Sequence, residues 1–370
     1  MKESKSNQNI AWYLEEGKDC DVVLSSRCRA IRNLANFPFP MYFKNDDGER
    51  VQSLVLDAFS KLTGCGNFMT IENSSLSPVN KAILEERGIL KNLVQRQKDN
   101  VLAPSAILMD TSGKIAATVN ANDHLRLFSF ASGLDFAQCY NSLVEIDDQL
   151  QNSLQFASTY DFGYLCSNLK DVGSGYKFSA RLHLPSCVRF GKLSALFDYV
   201  KEKGFNIESA FPGESNGIAA GSFFILSSCN AISGTEYDQV VAAESVCKYI
   251  VEAERKIFET FADNKSTVLR NSIIRSFSTA KFSMLLSLKE ALDIISHMML
   301  ALKLNLIAGI SSTELSGLLY RIQNGNLSYL LETGSFEFEQ DVKKDRHLKI
   351  ERLRSLVLQE AFESISLGNL

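Results

Sequence analysis

Two arginines, Arg27 and Arg29, lie two residues apart in a short stretch near the start of the chain. Alternate residues of an extended strand point to the same side, so these guanidinium groups would make a concentrated anion site. Residues 176–184 alternate between apolar and polar types and place Lys177 and Arg181 on the polar side. Such cations could hold phosphates, although an Arg-x-Arg pattern alone is more often a solvated strand face.

The charge balance limits the class of partner. Lys and Arg total 39 against 43 Asp and Glu, which gives the 370-residue chain a net charge of -4. This composition lacks the basic surface that nucleic acids and acidic membranes attract, so we expect neither as a partner. The N-terminus lacks the apolar core of a secretory signal, and the most apolar later stretch, 298–310, is interrupted by Lys303 and Asn305. The sequence predicts a cytoplasmic protein.

The cysteines and glycines limit the kinds of binding site that the chain can form. The chain has eight cysteines without a Cys-x-x-Cys spacing, and only four histidines could complete a zinc site. Reduced, mostly buried thiols are therefore expected, with no metal site. No glycine-rich phosphate loop of the Walker or dinucleotide type occurs in the sequence. Any nucleotide must then be held by side chains on strands.

The elements around these cations are predicted to form a sheet with flanking helices. Residues 105–110 and 114–120 are typical of two strands joined by a Thr-Ser-Gly turn, and 124–130 follows as a third strand. Residues 136–154 carry apolar side chains on one helical face, which predicts a helix packed on the sheet.

The last third of the chain has a different pattern. From about residue 240 helical periodicity dominates, with long helices predicted at 240–261, 286–306 and 349–362. This change divides the chain into an N-terminal segment (1–20), a mixed domain (21–239) and a helical domain (240–370). The predicted class is α+β.

Several strings in the chain resemble one known family. The string SSRCRAIRNL at 25–34, followed by FPFP at 37–40, is similar to the phosphagen-kinase segment in which two alternate arginines grip nucleotide phosphates. The string at 120–126 is similar to the Asn-Glu-Glu-Asp-His-x-Arg string of bacterial protein-arginine kinases. Other family-like blocks keep the family's order at 76–81, 162–165, 172–175, 182–185 and, more weakly, 287–292. The chain is identified as a divergent member of this superfamily.

The resemblance implies a fold and a function. It implies a largely antiparallel sheet flanked by helices, of the phosphagen-kinase or glutamine-synthetase-like type, with a helical C-terminal domain that dimerises. It implies ATP and Mg²⁺ as cofactors and arginine side chains of proteins as phosphoryl acceptors, with an activator protein and protease machinery as further partners. The residues expected to bind ATP, including Arg181 for its place beside Lys177, are Ser25, Ser26, Arg27, Cys28, Arg29, Arg126, Lys177, Arg181 and Ser209.

Several of the family's reactive residues are replaced. Ala121 and Asn122 stand at the paired glutamates, and an asparagine cannot accept a proton from a guanidinium. Lys177 keeps the charge of a family arginine without its bidentate fork, and Ser209 stands where another arginine is expected. The expected catalytic carboxylate is Glu214, for which a surface-loop glutamate is nearly as good an interpretation.

Asp123 is the other acid of this region, and Asn122 and Asp123 complete the candidate catalytic set. On a regular strand Asp123 would point away from Asn122 and Arg126, so its use as a base would require a bulge; a paired or capping aspartate is the favoured interpretation. The family's reactive cysteine aligns with Asn168, and Cys166 is either its displaced equivalent or a small buried thiol.

The phosphoarginine-binding string of the family aligns with 345–350, where the charges are kept in a swapped order. A solvated helix start is the favoured interpretation there. Three functions remain open at this point. One is a protein-arginine kinase with a remodelled site, another is a catalytically impaired pseudokinase that binds ATP or (phospho)arginine as a scaffold, and the third is a kinase for free small guanidino compounds.

Overall fold

A computed structural model describes residues 11–90, 104–214, 219–262 and 266–368 of the chain. The strands are β1 (Val23–Arg32), β2 (Phe68–Glu72), β3 (Ala106–Asp110), β4 (Ile115–Val119), β5 (Leu125–Ser132), β6 (Ser158–Thr159), β7 (Gly163–Tyr164), β8 (Tyr176–His183), β9 (Phe205–Ser209), β10 (Phe223–Ser228), β11 (Ile307–Ala308) and β12 (Ser366–Leu367). Eight of them form one antiparallel sheet in the order β2-β3-β4-β5-β1-β8-β10-β9. The predicted hairpin, third strand and alternating strand are confirmed.

The helices are α1 (Asp47–Ser60), α2 (Pro78–Glu86), α3 (Phe136–Gln151), α4 (Pro185–Arg189), α5 (Leu193–Glu202), α6 (Glu236–Ala262), α7 (Thr267–Phe282), α8 (Leu288–Lys303), α9 (Ser312–Arg321), α10 (Asn324–Thr333) and α11 (Arg346–Ala361). The predicted α+β class with a largely antiparallel sheet is confirmed, and so are the long helices α3, α6, α8 and α11. None of the described helices is long and apolar enough to cross a membrane.

One face of the sheet carries the main hydrophobic core. Cys28, Phe178 and Leu127 lie on this face of the central strands and are buried against α3 and α6. Asp135 caps the N-terminus of helix α3, because its carboxylate accepts a hydrogen bond from the backbone N–H of Gln138. Alternation along each strand therefore sends one set of side chains into this core and the other set to the opposite face.

A second core lies among α7 to α11, with Ile295, Leu318 and Leu358 fully or almost fully buried in it. The long helix α6 packs on the sheet instead, since Ala243 and Ile250 belong to the first core. Helix α6, at the start of the predicted helical domain (240–370), therefore contributes to the core of the sheet.

The opposite face of the sheet is only partly covered. Trp12 stacks on Phe130 of β5 at 5.3 Å between ring centroids, and Leu84 of α2 belongs to the same small cluster. This cluster covers the β3–β5 side of the face. The polar side chains of β1 and β8 occupy the neighbouring part.

Candidate active site

The register of the central strands brings the predicted cations together. Arg29 of β1 lies directly opposite Lys177 of β8, and Arg126 of β5 lies opposite Ile31 of β1. Directly opposed residues of an antiparallel pair project to the same side, so Arg27, Arg29, Arg126 and Lys177 share the face turned away from the main core. Arg181, opposite Ser25, belongs to this face as well.

Arg27 is held by neutral groups. Its Nε donates to the Ser179 hydroxyl at 2.9 Å, and its Nη1 donates to the backbone carbonyl of Gly88 at 3.2 Å. Gly88 follows the end of α2 with φ of 75°, a left-handed conformation that glycine adopts without strain and that presents the carbonyl to Arg27. Burial, followed by repulsion from Arg29 and Arg181, lowers the pKa of Arg27 to about 10. A bound anion would relieve this repulsion.

Arg29 and Lys177 share one counter-ion, Asp171. Nη2 of Arg29 lies 2.9 Å from Oδ1 of Asp171, and Nζ of Lys177 lies 3.3 Å from the same oxygen. Burial lowers the pKa of Arg29 in spite of this carboxylate. The side chain of Asp171 is only 4% exposed, so the two cations meet a buried carboxylate.

Arg126 pairs with Asp123, which corrects the expectation that Asp123 points away from it. Residues 120–124 form a turn before β5 begins, closed by a 2.9 Å hydrogen bond from the N–H of Asn120 to the carbonyl of His124. The strand alternation therefore does not extend to Asp123, whose Oδ2 lies 3.1 Å from Arg126 Nη2. Asp123 is thus a paired aspartate, as the favoured interpretation had it, but on the side of Arg126 and not on the far side.

Both carboxylate oxygens of Asp123 accept hydrogen bonds. Its Oδ1 accepts hydrogen bonds from Asn33 Nδ2 at 3.0 Å and from the backbone N–H of Ser167 at 2.7 Å. Burial alone would raise the pKa of Asp123, but these hydrogen bonds and the charge of Arg126 outweigh it, so the pKa lies below its ordinary value. A carboxylate stabilised in this way is a poor proton acceptor.

The two positions of the missing glutamates differ from each other. The side chain of Asn122 is exposed, while Ala121 is only 2% exposed. The hydroxyl of Ser167 donates to the carbonyl of Asn122, which joins this turn to the segment that ends at Asp171. His124 is buried, with Nδ1 accepting from the N–H of Leu34, so it lies outside the cation face.

Three of the residues expected to bind ATP have side chains on the wrong face. Cys28 is fully buried in the main core, and the Ser26 hydroxyl, also buried, donates to the carbonyl of Gly133 at 2.8 Å. Ser209 pairs with Phe224, which places it on the core parity of β9. The string that carries the resemblance runs continuously along β1, but only every second side chain, Ser25 among them, can face the phosphates.

Arg181 lies at the edge of the cation face, and Glu214 follows soon after one of the rings that contact Arg181. The Arg181 guanidinium lies 5.3 Å from the ring centroid of Tyr320 on α9 and 5.7 Å from that of Phe211. Glu214 ends a single turn, Pro212–Glu214, and is partly buried; its charge acts on the buried Arg354 of α11. Glu214 therefore interacts with the C-terminal domain. It lies three residues after Phe211, whose ring packs on Arg181.

The chemistry of the face fits an oxyanion. Three of the five cations share the carboxylates of Asp171 and Asp123 in the ion pairs above, and Arg27 is held by neutral groups. Within the described part of the chain, Nε of Arg29 and Nε of Arg126 are buried without a hydrogen-bond partner, as is the hydroxyl of Thr118, which lies opposite Arg126. Buried donors without partners are costly unless a ligand receives them.

A metal ion has less support from side chains. Among the described residues no group of three or more His, Cys, Asp or Glu side chains could hold a metal. Mg²⁺ in nucleotide sites commonly binds substrate phosphates and keeps several waters, so such a cage is not required.

The cysteines follow the sequence prediction. All eight are free thiols, and five of them are buried. Cys166 lies within the site segment, but burial, together with the charges of Asp123 and Asp171, raises its pKa to about 12. It is a small buried thiol and not a reactive thiolate.

The stretch that aligns with the phosphoarginine string begins a helix. Asp345 caps α11 by accepting hydrogen bonds from the N–H groups of His347 and Leu348, and Arg346 pairs with Glu332 in an exposed contact. The predicted solvated helix start is confirmed.

Sequence reasoning missed three participants in the site. Asp171 and Ser179 contact the predicted cations directly, and Tyr320 arrives from the other end of the chain. Ser179 could have been found, because it shares the parity of Lys177 and Arg181. Asp171 and Tyr320 carried no local signal, since only the tertiary fold brings them to the sheet.

Known proteins match the chain over nearly its whole length. The ATP:guanido phosphotransferase C-terminal catalytic domain matches residues 50–257, and the protein-arginine kinase McsB C-terminal domain matches residues 266–366. The protein-arginine kinase of Geobacillus sp. (strain WCH70) is 28% identical over 346 residues, which cover 93% of this chain and 94% of that protein. The protein-arginine kinase of Halothermothrix orenii is 28% identical over 344 residues, covering 93% and 97%.

Solved structures share the fold at lower identity. Lombricine kinase superposes with a TM-score of 0.57 and 17% identity over 68% of this chain and 70% of its own. The substrate-free duplicated taurocyamine kinase from Schistosoma mansoni gives a TM-score of 0.58 and 16% identity over 75% of this chain and 42% of its own. Since the phosphotransferase domain alone matches more than half of the residues, this chain belongs to the ATP:guanido phosphotransferase family.

Proposed function

We propose that this protein transfers the γ-phosphoryl group of ATP to arginine side chains of proteins. The observation that carries the proposal is the face of five cations in which two buried arginine Nε donors have no partner among the described residues. The relatives named protein-arginine kinases, whose sequences align with 93% of this chain, support the choice of acceptor.

Each cation has a distinct part in this proposal. Arg27, Arg29 and Arg126 hold the phosphate oxygens through charge-assisted hydrogen bonds, because their guanidinium groups share one face. Lys177 adds a point charge beside Arg29, and Arg181 extends the cation row along β8. Phosphoryl transfer depends mainly on positioning and charge stabilisation, which such a row supplies. Mg²⁺, when bound, would neutralise part of the phosphate charge.

The acceptor side of the site is less complete. Glu214 remains the proposed carboxylate for the substrate guanidinium, three residues after Phe211. The exposed Asn122 and the buried Ala121 provide no carboxylate, and this observation favours a second candidate function, a nucleotide- or arginine-binding scaffold without turnover. A cytoplasmic location, homodimerisation, an activator protein and protease machinery complete the proposal; these rest on the sequence and its resemblance.

Phosphoarginine formation is the direct test. The full-length protein would be incubated with ATP, Mg²⁺ and an arginine-rich protein, and acid-labile phosphoarginine would be sought by mass spectrometry. We expect phosphoarginine with the parent chain and none with Arg27→Ala, while the exposed Arg87→Ala serves as the matched control. ATP binding without any phosphoarginine would favour the scaffold and reject the kinase.

A further inference from the structure

Asp171 is the carboxylate nearest to the proposed phosphate cations, and no feature of the sequence motifs assigns it a role. It ends the turn Leu169–Asp171, where its N–H bonds to the carbonyl of Asn168 and its own carbonyl accepts from Cys166 Sγ at 3.2 Å. The backbone is thus fixed on both sides. The side chain is 4% exposed and reaches Arg29 and Lys177.

We propose that Asp171 receives the guanidinium group of the arginine substrate once ATP has drawn Arg29 and Lys177 onto its phosphates. This inference rests on the proposed function, because it requires nucleotide phosphates on the same cations. It assigns the substrate carboxylate to a residue outside the positions of the missing glutamates.

The two site aspartates differ in what they can still accept. Asp123 is held by immobile donors, the Asn33 amide and the Ser167 backbone N–H, in addition to Arg126. Asp171 is held only by the ends of two long side chains, and both contact the same oxygen, Oδ1. Within the described residues its Oδ2 has no hydrogen bond. Asp171 is therefore the aspartate that can change partners.

Charge balance gives the exchange its direction. Phosphate oxygens attract Arg29 and Lys177, which lie directly opposite each other on β1 and β8. Their departure would leave a buried carboxylate without a counter-ion, which is unfavourable unless another cation arrives. A substrate guanidinium is such a cation, and its planar N–H pair matches a carboxylate in a bidentate geometry. Binding of nucleotide and of arginine should therefore be coupled.

The position of Asp171 also suits the reaction. Ser167 bonds to both the carbonyl of Asn122 and the carboxylate of Asp123, so the segment carrying Asp171 is joined to the turn that has lost its glutamates. In the proposed step a terminal guanidino nitrogen forms a bond to the γ-phosphorus while the bond from phosphorus to the ADP oxygen breaks, with its electron pair leaving on ADP. The proton displaced from that nitrogen passes to Asp171 and then to solvent.

Binding and turnover would be measured separately on the full-length protein. Calorimetry would give the affinity for ADP alone, and then the affinity for a peptide with one arginine in the presence of ADP, Mg²⁺ and nitrate, a planar anion in the place of the phosphoryl group. The same peptide with lysine in place of arginine measures non-specific attraction. Asp171→Asn is the test variant, and Asp57→Asn, an exposed aspartate of α1, is the matched control.

We expect Asp171→Asn to weaken the arginine peptide at least about tenfold while ADP affinity stays equal or rises, since one charge-assisted contact to the guanidinium is lost and two cations are released. Phosphoarginine formation should fall by about 10²–10⁴. Asp171→Glu keeps the charge of the cluster and should give intermediate affinity, which keeps the test informative if Asp171→Asn unfolds.

The outcomes separate this inference from the proposed function. Phosphoarginine formation at the parent rate in Asp171→Asn would reject Asp171 and keep the kinase. Arginine-specific, Asp171-dependent peptide binding without phosphoarginine from any variant would keep Asp171 and reject the kinase. Unchanged peptide affinity in Asp171→Asn, or a parent chain that does not distinguish the arginine peptide from its lysine counterpart, would overturn the inference.

Discussion

The ring of Tyr320, on helix α9, lies 5.3 Å from the guanidinium carbon of Arg181, on strand β8. The same ring stacks on Tyr13 at 4.2 Å, so it is fixed from the other side. Through this contact the helical C-terminal domain reaches the cation face of the sheet. A change in that domain can therefore alter the site without touching any residue of the catalytic domain.

Removing the ring of Tyr320 should weaken nucleotide binding. Tyr320→Leu loses a cation–π contact worth about 0.5–2 kcal/mol, so Arg181 is less well positioned and the Kd for ATP should rise roughly two- to thirtyfold. Tyr320→Phe keeps the ring and should bind ATP like the parent chain. The single tryptophan, Trp12, packs edge-on against Tyr320 and offers a fluorescence signal for the titration. Equal affinity in the leucine variant would mean that the contact is structural only.

Removing the charge of Arg27 should raise the stability of the fold and weaken ATP binding. Arg27→Met removes a charge that burial and repulsion from Arg29 and Arg181 disfavour, so the ligand-free protein should unfold a few degrees higher. The same variant loses a phosphate contact of about 1.5–3 kcal/mol, which weakens ATP roughly 10- to 150-fold. Thermal unfolding with and without ATP measures both effects. Arg87→Met, one residue from Gly88 and exposed, should change neither quantity.

The two lost glutamate positions should respond differently when carboxylates are returned. Ala121→Glu would bury a charge in a site with 2% exposure, so the free energy of unfolding should fall by about 2–5 kcal/mol. Asn122→Glu is exposed and should leave stability within about 0.5 kcal/mol.

Activity gives a second readout of the same positions. Because Asn122 lies beside the segment of Asp171, Asn122→Glu should recover at least about tenfold of the phosphoarginine formation lost in Asp171→Asn. No recovery would show that position 122 no longer faces the guanidinium.

Acid should destabilise the fold through its buried histidines. Burial lowers the pKa of His183 to about 3, and burial also lowers the pKa of His124 and of His297. Between the unfolded pKa of about 6.5 and the lower folded values, only the unfolded chain binds these protons, so stability falls as pH decreases through this window. Each histidine contributes up to about 1.4 kcal/mol per pH unit.

Thermal unfolding between pH 7 and pH 5 would measure this slope. His183→Gln should flatten it, because the ring that accepts no proton in the fold is removed. His347, which is 78% exposed, provides the control, and His347→Gln should leave the slope unchanged. An equal slope in the parent chain and in His183→Gln would contradict the assignment.

The sequence predicted the cation face well because its signal is local. Alternation along β1 and β8 settles which side chains share a face, and the register then joins Arg29 to Lys177. The error at Asp123 also has a local cause, since the run Asn-Ala-Asn-Asp is rich in turn formers and Asn120 has a φ of 54°. The expected strand therefore begins only after this turn, as β5 at Leu125.

Asp171 and Tyr320 could not be predicted in this way. Asp171 meets Arg29, and Tyr320 meets Arg181, through contacts between residues far apart in the chain, which no periodic pattern encodes. The packing of α6 has a similar cause: this helix has the helical periodicity of the last third of the chain but packs its apolar side chains on the sheet.

The turn Trp12–Leu14 lies between β5 and α9, where Trp12 stacks on Phe130, Tyr13 stacks on Tyr320 and Leu14 packs against Gly317. The Trp12–Leu14 turn is thus covered by residues that the ribosome adds much later. At a synthesis rate of about 5–20 residues per second, Tyr320 is added on the order of tens of seconds after Trp12 and Tyr13. Until helix α9 has been made, Tyr13 lacks its stacking partner Tyr320, and Arg181 on the cation face lacks the same ring.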